Sequence, residues 1–282
     1  MYVCVCVCVH VPVPKCIVMV ESHCCNSLSL SLSFSLSLSL LSVSLSHSLT
    51  LSLSLSFSFS HFPFLKCGSC WAHGTTAVVE ARLKIDTGKI ISLSEQYLLD
   101  CDTSRVCSGC CGGLAEDSMR WLAGDSSKPH SGAGIASEAS YPYVSASGQD
   151  PTKGKCNESA KLVAKVTGFG VLEQPSKTAD VLSAMTEYGV LAVAIDSRAI
   201  QFYTGGIITN GTACSGTNHV VAIVGFGTTP DGVDYYKVRN SYGTEFGEKG
   251  YFRISQNAAD ECGMHGCVIA ATGATATTMA GN

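Results

Sequence analysis

The first part of the chain constrains the fold most, because it does not resemble the sequence of a globular domain. Residues 27–60 alternate Ser with Leu or Phe almost without interruption, and residues 2–9 alternate Val and Cys. Alternation of period two is typical of a β-strand, but this tract is far longer than ordinary strands. A globular fold in this 282-residue chain must therefore be built from the residues after about position 64.

The two alternating tracts have a simple origin in repeat DNA. A TC repeat read in threes encodes Ser-Leu, and a GT repeat encodes Val-Cys. We therefore interpret residues 1–64 as a gene-model artefact and expect them to be disordered. An apolar signal or anchor segment near residues 11–20 and a genuine Ser-rich stalk are the alternatives. The signal alternative is disfavoured because no basic segment precedes the apolar run, which Lys15 interrupts, and no apolar stretch is long enough for a membrane helix.

Charge and cysteine content narrow the function classes. The net charge is −4, and no run rich in Lys or Arg occurs, which argues against nucleic acid as the main partner. Ten of the 16 cysteines follow residue 66, a density that suits an oxidising compartment. Glycosylation sequons begin at Asn157 and Asn210. Cys107, Cys110 and Cys111 lack the second ligand pair of a zinc site, and we expect neither a metal nor an organic cofactor.

The order of predicted elements indicates the fold class. Apolar spacing predicts helices over 71–85, over 114–123 and over about 179–188, and a capping box at 92–95 predicts a short helix through Leu99. Strands are predicted over 162–172, 190–196, 219–226, 233–240 and 250–254. Helices followed by strands predict an α+β fold. We place a helical subdomain at about 65–160 and a β subdomain at about 161–282, with a cleft between them as the default site.

Three residues in this order could form a nucleophilic site. Cys70 lies at the start of the first predicted helix, where the helix dipole favours a thiolate. His219 begins the most apolar strand of the second half and could act as the base. Asn240 ends a later strand and could orient the imidazole ring.

Five sequence blocks resemble the papain-like cysteine proteases: CGSCWA at 67–72, SLSEQYLLDC at 92–101, GCCGG at 109–113, NHVVAIVGFG at 218–227 and NSYGTEFGEKGYFRI at 240–254. The resemblance covers about residues 66–270. It implies a fold with a helical left part, a β-barrel-like right part and an active-site cleft between them. It also implies that Cys70 is the nucleophile, His219 the general base and acid, and Asn240 the orienting residue, with a thioester acyl-enzyme as the intermediate.

The same resemblance implies the disulfides and the substrate-binding residues. The implied disulfides are Cys67–Cys110, Cys101–Cys156 and Cys214–Cys262, while the pairing of Cys107, Cys111 and Cys267 stays open. Backbone groups of Gly112 and Gly113 are expected to pair with substrate as an added strand. The remaining substrate-binding residues that the resemblance implies are Leu114, Ala115, Ala194, Thr217, Asn218 and Cys267. Those that map to the main specificity pocket are small or apolar, so we expect a preference for an apolar side chain two residues before the cut. Plain packing is the alternative role for Cys267.

The chain also departs from the family pattern. Phe64 stands where the family has a Gln that donates to the oxyanion, and loss of such a donor costs about 10²–10³-fold in rate. We attribute this to a wrong exon boundary that removed the pro-segment and the N-terminal part of the domain. Tyr242 and Phe246 replace Trp residues, and the first of these normally shields the His–Asn hydrogen bond. His73 could be a second base or, as we favour, a helix-face residue.

These residues predict a cysteine-type endopeptidase, since no insertion resembles the occluding loop of an exopeptidase. The alternative is an inactive papain-like binding module, on the grounds of Phe64 and Tyr242. Expected partners are peptide and protein substrates and protein inhibitors of the cystatin type, with no nucleic acid and no membrane. We expect a monomer of the secretory pathway, in a lysosome or vacuole or outside the cell, although the chain contains no credible signal peptide.

Overall fold

Four α-helices lie among the residues that the structure describes. The structure, a computed structural model, describes residues 67–104, 109–145, 154–172, 177–209, 214, 216–257 and 262–277. The helices are α1 (Cys70–Thr87), α2 (Glu95–Cys101), α3 (Ala115–Gly124) and α4 (Thr178–Tyr188). All four were predicted, and α4 ends at Gly189 as expected.

The predicted capping box at the start of α2 is wrong. Ser94 caps this helix, because its Oγ accepts a hydrogen bond from the N–H of Tyr97 at 2.9 Å. The preceding residues are held in extended backbone instead. Leu93 forms a β-bridge with Ser137, and the N–H of Glu138 donates to the Ser92 carbonyl. Because of this pairing, the helix begins two residues later than predicted. Glu95 is therefore the first residue of the helix and not the third, the position that the capping box requires.

The described strands form one eight-stranded sheet in the order β1-β2-β8-β3-β5-β6-β7-β4. All neighbours are antiparallel except β4 and β7. The strands are β1 (Ile135–Ala136), β2 (Leu162–Val171), β3 (Leu191–Ile195), β4 (Ile207–Ile208), β5 (His219–Thr228), β6 (Asp234–Arg239), β7 (Tyr251–Ser255) and β8 (Val268–Ala276). The five predicted strands are present. The sequence reading missed β1, β4 and β8.

Apolar side chains cover both faces of the sheet. Helices α1, α2 and α3 pack on one face, in a cluster that includes Ala192 of β3 and Val220 of β5. Helix α4 packs on the other face, with Leu191 and Val193 of β3. Because successive residues of a strand point to opposite faces, β3 and β5 belong to both clusters. The α+β class is confirmed, and α1 lies directly against β5, the two elements that carry the predicted site.

Among the described residues, no helix has the length and apolarity that a membrane span requires.

Candidate active site

Three contacts hold the segment that precedes α1. Cys67 is disulfide-bonded to Cys110, and the N–H of Gly68 donates to the Cys110 carbonyl at 2.8 Å. The indole N–H of Trp71 donates to the carbonyl of Gly109 at 3.2 Å. A Cβ at position 68 would lie 2.7 Å from the Cys110 oxygen, so this close approach requires glycine. The start of α1 is therefore fixed to the 3₁₀ turn at Gly109–Cys111.

Cys70 is the first residue of α1, and it is the one cysteine of the described part of the chain that is not in a disulfide. The side chain of the preceding Ser69 does not cap the helix, because its hydroxyl is hydrogen-bonded to the Tyr143 hydroxyl at 2.7 Å. Burial raises the pKa of the Cys70 thiol, while backbone hydrogen bonds from Val220, Trp71 and Cys70 itself act in the opposite direction. The helix start thus supplies uncapped N–H groups to the sulfur.

His219 and Asn240 form a buried hydrogen-bonded pair. His219 begins β5 and Asn240 follows the adjacent strand β6, and each is about 5% exposed. The distance from His219 Nε2 to Asn240 Oδ1 is 2.8 Å. The same oxygen accepts from the N–H of Ser241 at 2.8 Å. Because an amide oxygen only accepts hydrogen bonds, Nε2 carries the ring proton, and Nδ1 remains available as a base.

An aromatic ring covers this pair. Tyr242 stacks on the His219 ring with 5.0 Å between centroids and 29° between planes. Phe246 in turn meets Tyr242 edge-on, with centroids 5.5 Å apart. Burial, together with the charge of Cys70, raises the pKa of the Tyr242 hydroxyl. Tyr242 therefore covers one face of the His219 ring.

Burial opposes isolated charges at both predicted catalytic groups. It lowers the pKa of His219 to about 4; the hydrogen bond with Asn240 acts to raise that pKa, and the charge of His73 lowers it further. Burial also raises the pKa of the Cys70 thiol. Burial therefore favours the neutral thiol and the neutral imidazole over either isolated ion.

Glycine at position 74 sets the distance between the helix and the strand. A Cβ there would lie 2.5 Å from Cγ1 of Val220 and 3.6 Å from Cβ of Ala192. Val220 follows His219 directly, and its backbone contacts Cys70. The close approach at Gly74 therefore brings the first turn of α1 to the start of β5.

The predicted substrate-binding residues fall into three groups. Gly112 and Gly113 are both buried, and a Cβ at Gly113 would lie 2.8 Å from the Trp71 ring. A second group lies in or against the apolar cluster on the α1 face: Leu114, Ala115, Ala194 and Cys267. Thr217 and Asn218 lead into His219, and Asn218 Oδ1 accepts from the N–H of Ser197 at 2.8 Å.

The structure contains the three disulfides that the resemblance implies, Cys67–Cys110, Cys101–Cys156 and Cys214–Cys262. Cys111 and Cys267 are disulfide-bonded as well. Phe64 and Cys107 lie outside the described residues, so the replaced oxyanion donor and a Cys107–Cys111 bridge stay predictions.

An ion pair beside the site is not predicted by the sequence pattern. His73 Nδ1 lies 3.1 Å from Glu95 Oε1, and the two side chains are only 24% and 11% exposed. His73 is predicted to be a helix-face residue, and the sequence gives no indication of its buried partner, Glu95 on α2. The only signal was a histidine one turn after a predicted nucleophile, which does not reveal a contact between two helices.

A thiol at a helix start, beside a strand that begins with a buried imidazole hydrogen-bonded to an amide, is the arrangement of the papain-like class of α+β proteins. Residues 64–272 match the profile of the family described as "Papain family cysteine protease", and the chain belongs to this family.

Relatives of known name agree with this assignment. The chain is 41% identical over 208 residues to the cysteine proteinase COT44 of Brassica napus. The matched region covers 73% of this chain and 58% of COT44. It is 38% identical to vignain of Vigna mungo, over 73% of this chain and 54% of vignain. The chain thus spans about half the length of the curated relatives it matches.

Solved structures show the same fold. The bromelain protease of Ananas comosus, solved in complex with the inhibitor E64, matches with a TM-score of 0.63 and 31% identity over 73% of this chain and 90% of bromelain. The cysteine protease CMS1MS2 of Carica candamarcensis, solved with E-64, matches with a TM-score of 0.59 and 31% identity over 74% of this chain and 90% of that protein.

Proposed function

We propose that this protein is a cysteine endopeptidase that hydrolyses peptide bonds through Cys70, His219 and Asn240. The observation that carries the proposal is the buried 2.8 Å hydrogen bond between His219 and Asn240, beside a free thiol at the start of α1. The names of its relatives, which are cysteine proteinases and endopeptidases, support the same activity.

The proposed reaction proceeds in two acyl-transfer steps. The Cys70 thiolate attacks the carbonyl carbon of the scissile peptide, and the His219 imidazolium gives its proton to the leaving amine as the C–N bond breaks. The product is a thioester on Cys70. Neutral His219 then takes a proton from the water that attacks the thioester. The C–S bond breaks, the carboxylic acid product leaves, and the Cys70 thiolate and the His219 imidazolium are restored. Asn240 holds the imidazole ring through both steps.

Specificity and setting are also part of the proposal. Small or apolar residues in the cluster near the site, Leu114, Ala115, Ala194 and Cys267, favour an apolar side chain two residues before the cut. The disulfides favour the secretory pathway, in a vacuole or lysosome or outside the cell, and the proposed state is a monomer. Peptide and protein substrates are the proposed partners, together with protein inhibitors of the cystatin type.

Covalent labelling of the full chain by the epoxysuccinyl inhibitor E-64 tests the activity, because alkylation requires an activated thiolate. We expect one equivalent of label on Cys70 by peptide mass spectrometry, and none on a Cys70→Ala variant. Cleavage of fluorogenic peptides with Leu or Phe two residues before the cut should be lost in the same variant. A folded protein whose Cys70 resists labelling would overturn the proposal and favour the inactive binding module.

A further inference from the structure

The proposed mechanism leaves one histidine beside the site unused. His73 lies on α1 one turn after Cys70, and its Nδ1 is 3.1 Å from Oε1 of Glu95 on α2. The Thr76 hydroxyl donates to the same oxygen at 2.7 Å. Burial acts to raise the pKa of Glu95, but the hydrogen bond and charge of His73 outweigh it and leave that pKa below its usual value. Glu95 is therefore an ionised acceptor for the His73 ring.

Two further carboxylates face this pair. Glu80 lies on α1 and accepts from the N–H of Leu93 at 2.8 Å, with Arg239 of β6 at 3.8 Å. Glu138 follows β1 and accepts from the N–H of Tyr143 at 2.9 Å. Burial raises the pKa of both carboxyl groups. Three carboxylates thus converge on a region where His73 and Arg239 are the facing cations.

His73 also contacts the groups that hold Cys70. Its ring meets Tyr143 edge-on with centroids 5.2 Å apart, and the Tyr143 hydroxyl is hydrogen-bonded to Ser69. On its other side, His73 lines a small cavity between α1 and the sheet together with Val220 and Asn240. The His73 ring therefore contacts Tyr143, which is hydrogen-bonded to Ser69 beside Cys70. It also lines the same cavity as Asn240 of the imidazole pair.

We propose, on the basis of the proposed function, that His73 is a positioning residue that acts in two ways through its contact with Glu95. It fixes Tyr143 and Ser69 beneath the first turn of α1. While it is protonated, His73 disfavours the His219 imidazolium, so the pH dependence of activity depends on the charge at position 73.

The sign of the charge effect follows from electrostatics. A nearby cation makes the His219 imidazolium easier to deprotonate. The limb of the pH profile that reports the His219 proton therefore lies lower with His73 than without it. Removal of the charge should move that limb upward by about half a pH unit, the order given by a single charge about one helical turn away in a well-screened environment.

Two variants of the full chain separate the two roles. His73→Asn keeps a donor near the position of Nδ1 but removes the charge, whereas His73→Phe removes both. His130→Asn is the matched control, because His130 is an exposed histidine 3.8 Å from Glu158 and far along the chain from the site. The measurements are the rate constant of E-64 alkylation and kcat/KM on a fluorogenic peptide, each from pH 4 to 9.

We expect His73→Asn to shift the His219 limb upward with a near-normal plateau. His73→Phe should show the same shift and a plateau lowered about tenfold or more, since misplaced reacting groups are costly. Profiles of His73→Asn and His73→Phe that superimpose on that of His130→Asn would overturn the inference. Failure of the unsubstituted protein to react with E-64 at any pH would overturn the proposed function, and this inference with it.

Discussion

At the scale of single residues, Asn240 fixes the orientation and the tautomer of the His219 ring. Its Oδ1 accepts from His219 Nε2 and from the N–H of Ser241, both at 2.8 Å. This double acceptance fixes the amide orientation, and through it the tautomer of His219. The ring then presents Nδ1, and not Nε2, as its basic atom.

We expect Asn240→Ala to lower kcat/KM by about 10²-fold, because an unoriented ring loses much of the benefit of general acid–base catalysis. Peptide hydrolysis and E-64 alkylation should fall together, while the fold is retained by circular dichroism. Asn157→Ala is the control, since Asn157 is an exposed residue on a turn away from the site. Equal activity of the two variants would remove Asn240 from the proposed mechanism.

His219 also makes stability depend on pH. Its pKa is about 4 in the folded protein, below the 6.5 of a free imidazole, because burial disfavours the charged ring. The unfolded chain therefore binds a proton between pH 6.5 and 4 while the folded chain does not, and stability is lost as the pH falls through this window. The full contribution is about 3 kcal/mol.

A His219→Gln substitution should remove this dependence. In a Cys70→Ala background, which prevents self-digestion, we expect the free energy of unfolding to fall by about 2–3 kcal/mol more from pH 7 to pH 4 than it does in His219→Gln. Urea unfolding at several pH values measures the difference. Parallel curves for the two proteins would show that His219 does not carry the shift.

At the scale of elements, the site depends on the approach of α1 to β5. The gap at Gly74 leaves no room for a methyl group, since its Cβ would lie 2.5 Å from Val220 Cγ1. Cys70 lies one turn earlier on the same helix, and His219 immediately precedes Val220. Any displacement of α1 at Gly74 therefore changes the relation between the thiol and the imidazole.

Gly74→Ala should lower kcat/KM by about 10²-fold, because a displacement of about 1 Å at reacting groups has an effect of this size. Gly225→Ala on β5 is the matched control: its added Cβ would meet only Lys237 Cβ, at an ordinary 3.9 Å. Active-site titration with E-64 corrects each rate for the fraction of competent enzyme. If the two variants retain the same kcat/KM, helix–strand spacing does not limit the reaction.

The elements also show what the sequence could predict. Apolar periodicity located α1 and β5, and the motifs placed Cys70 and His219 at their starts. Strand β8 was missed because its run of Ala, Gly and Thr lacks the bulky alternation of a strand, although it pairs with β2 and β3 in the interior of the sheet. The His73–Glu95 contact was missed because it depends on the packing of α1 against α2, which a local pattern does not encode.

At the scale of the whole molecule, the residues that stabilise the fold and those that position the site are only partly the same. The two apolar clusters share the sheet, and β3 alternates between them: Ala192 packs towards α1, and Leu191 packs towards α4. Leu191 pairs with Ile223, at the opposite end of β3 from the pairing of Ile195 with His219. The site therefore packs directly on the cluster at the α1 face, whereas both clusters stabilise the fold.

Leu191→Ala should separate these two properties. Truncation of a fully buried leucine destabilises by about 2–5 kcal/mol, through lost burial and the cavity that remains. We expect the urea midpoint to fall accordingly, while kcat/KM per E-64-titrated site stays within about twofold of the unsubstituted protein at a temperature well below unfolding. Gly74→Ala should show the reverse, with a large loss of kcat/KM per titrated site. A parallel loss of activity and stability in Leu191→Ala would mean that the α4 face of the sheet also sets the geometry of Cys70 and His219. The site would then depend on the whole sheet and not on the α1–β5 contact alone.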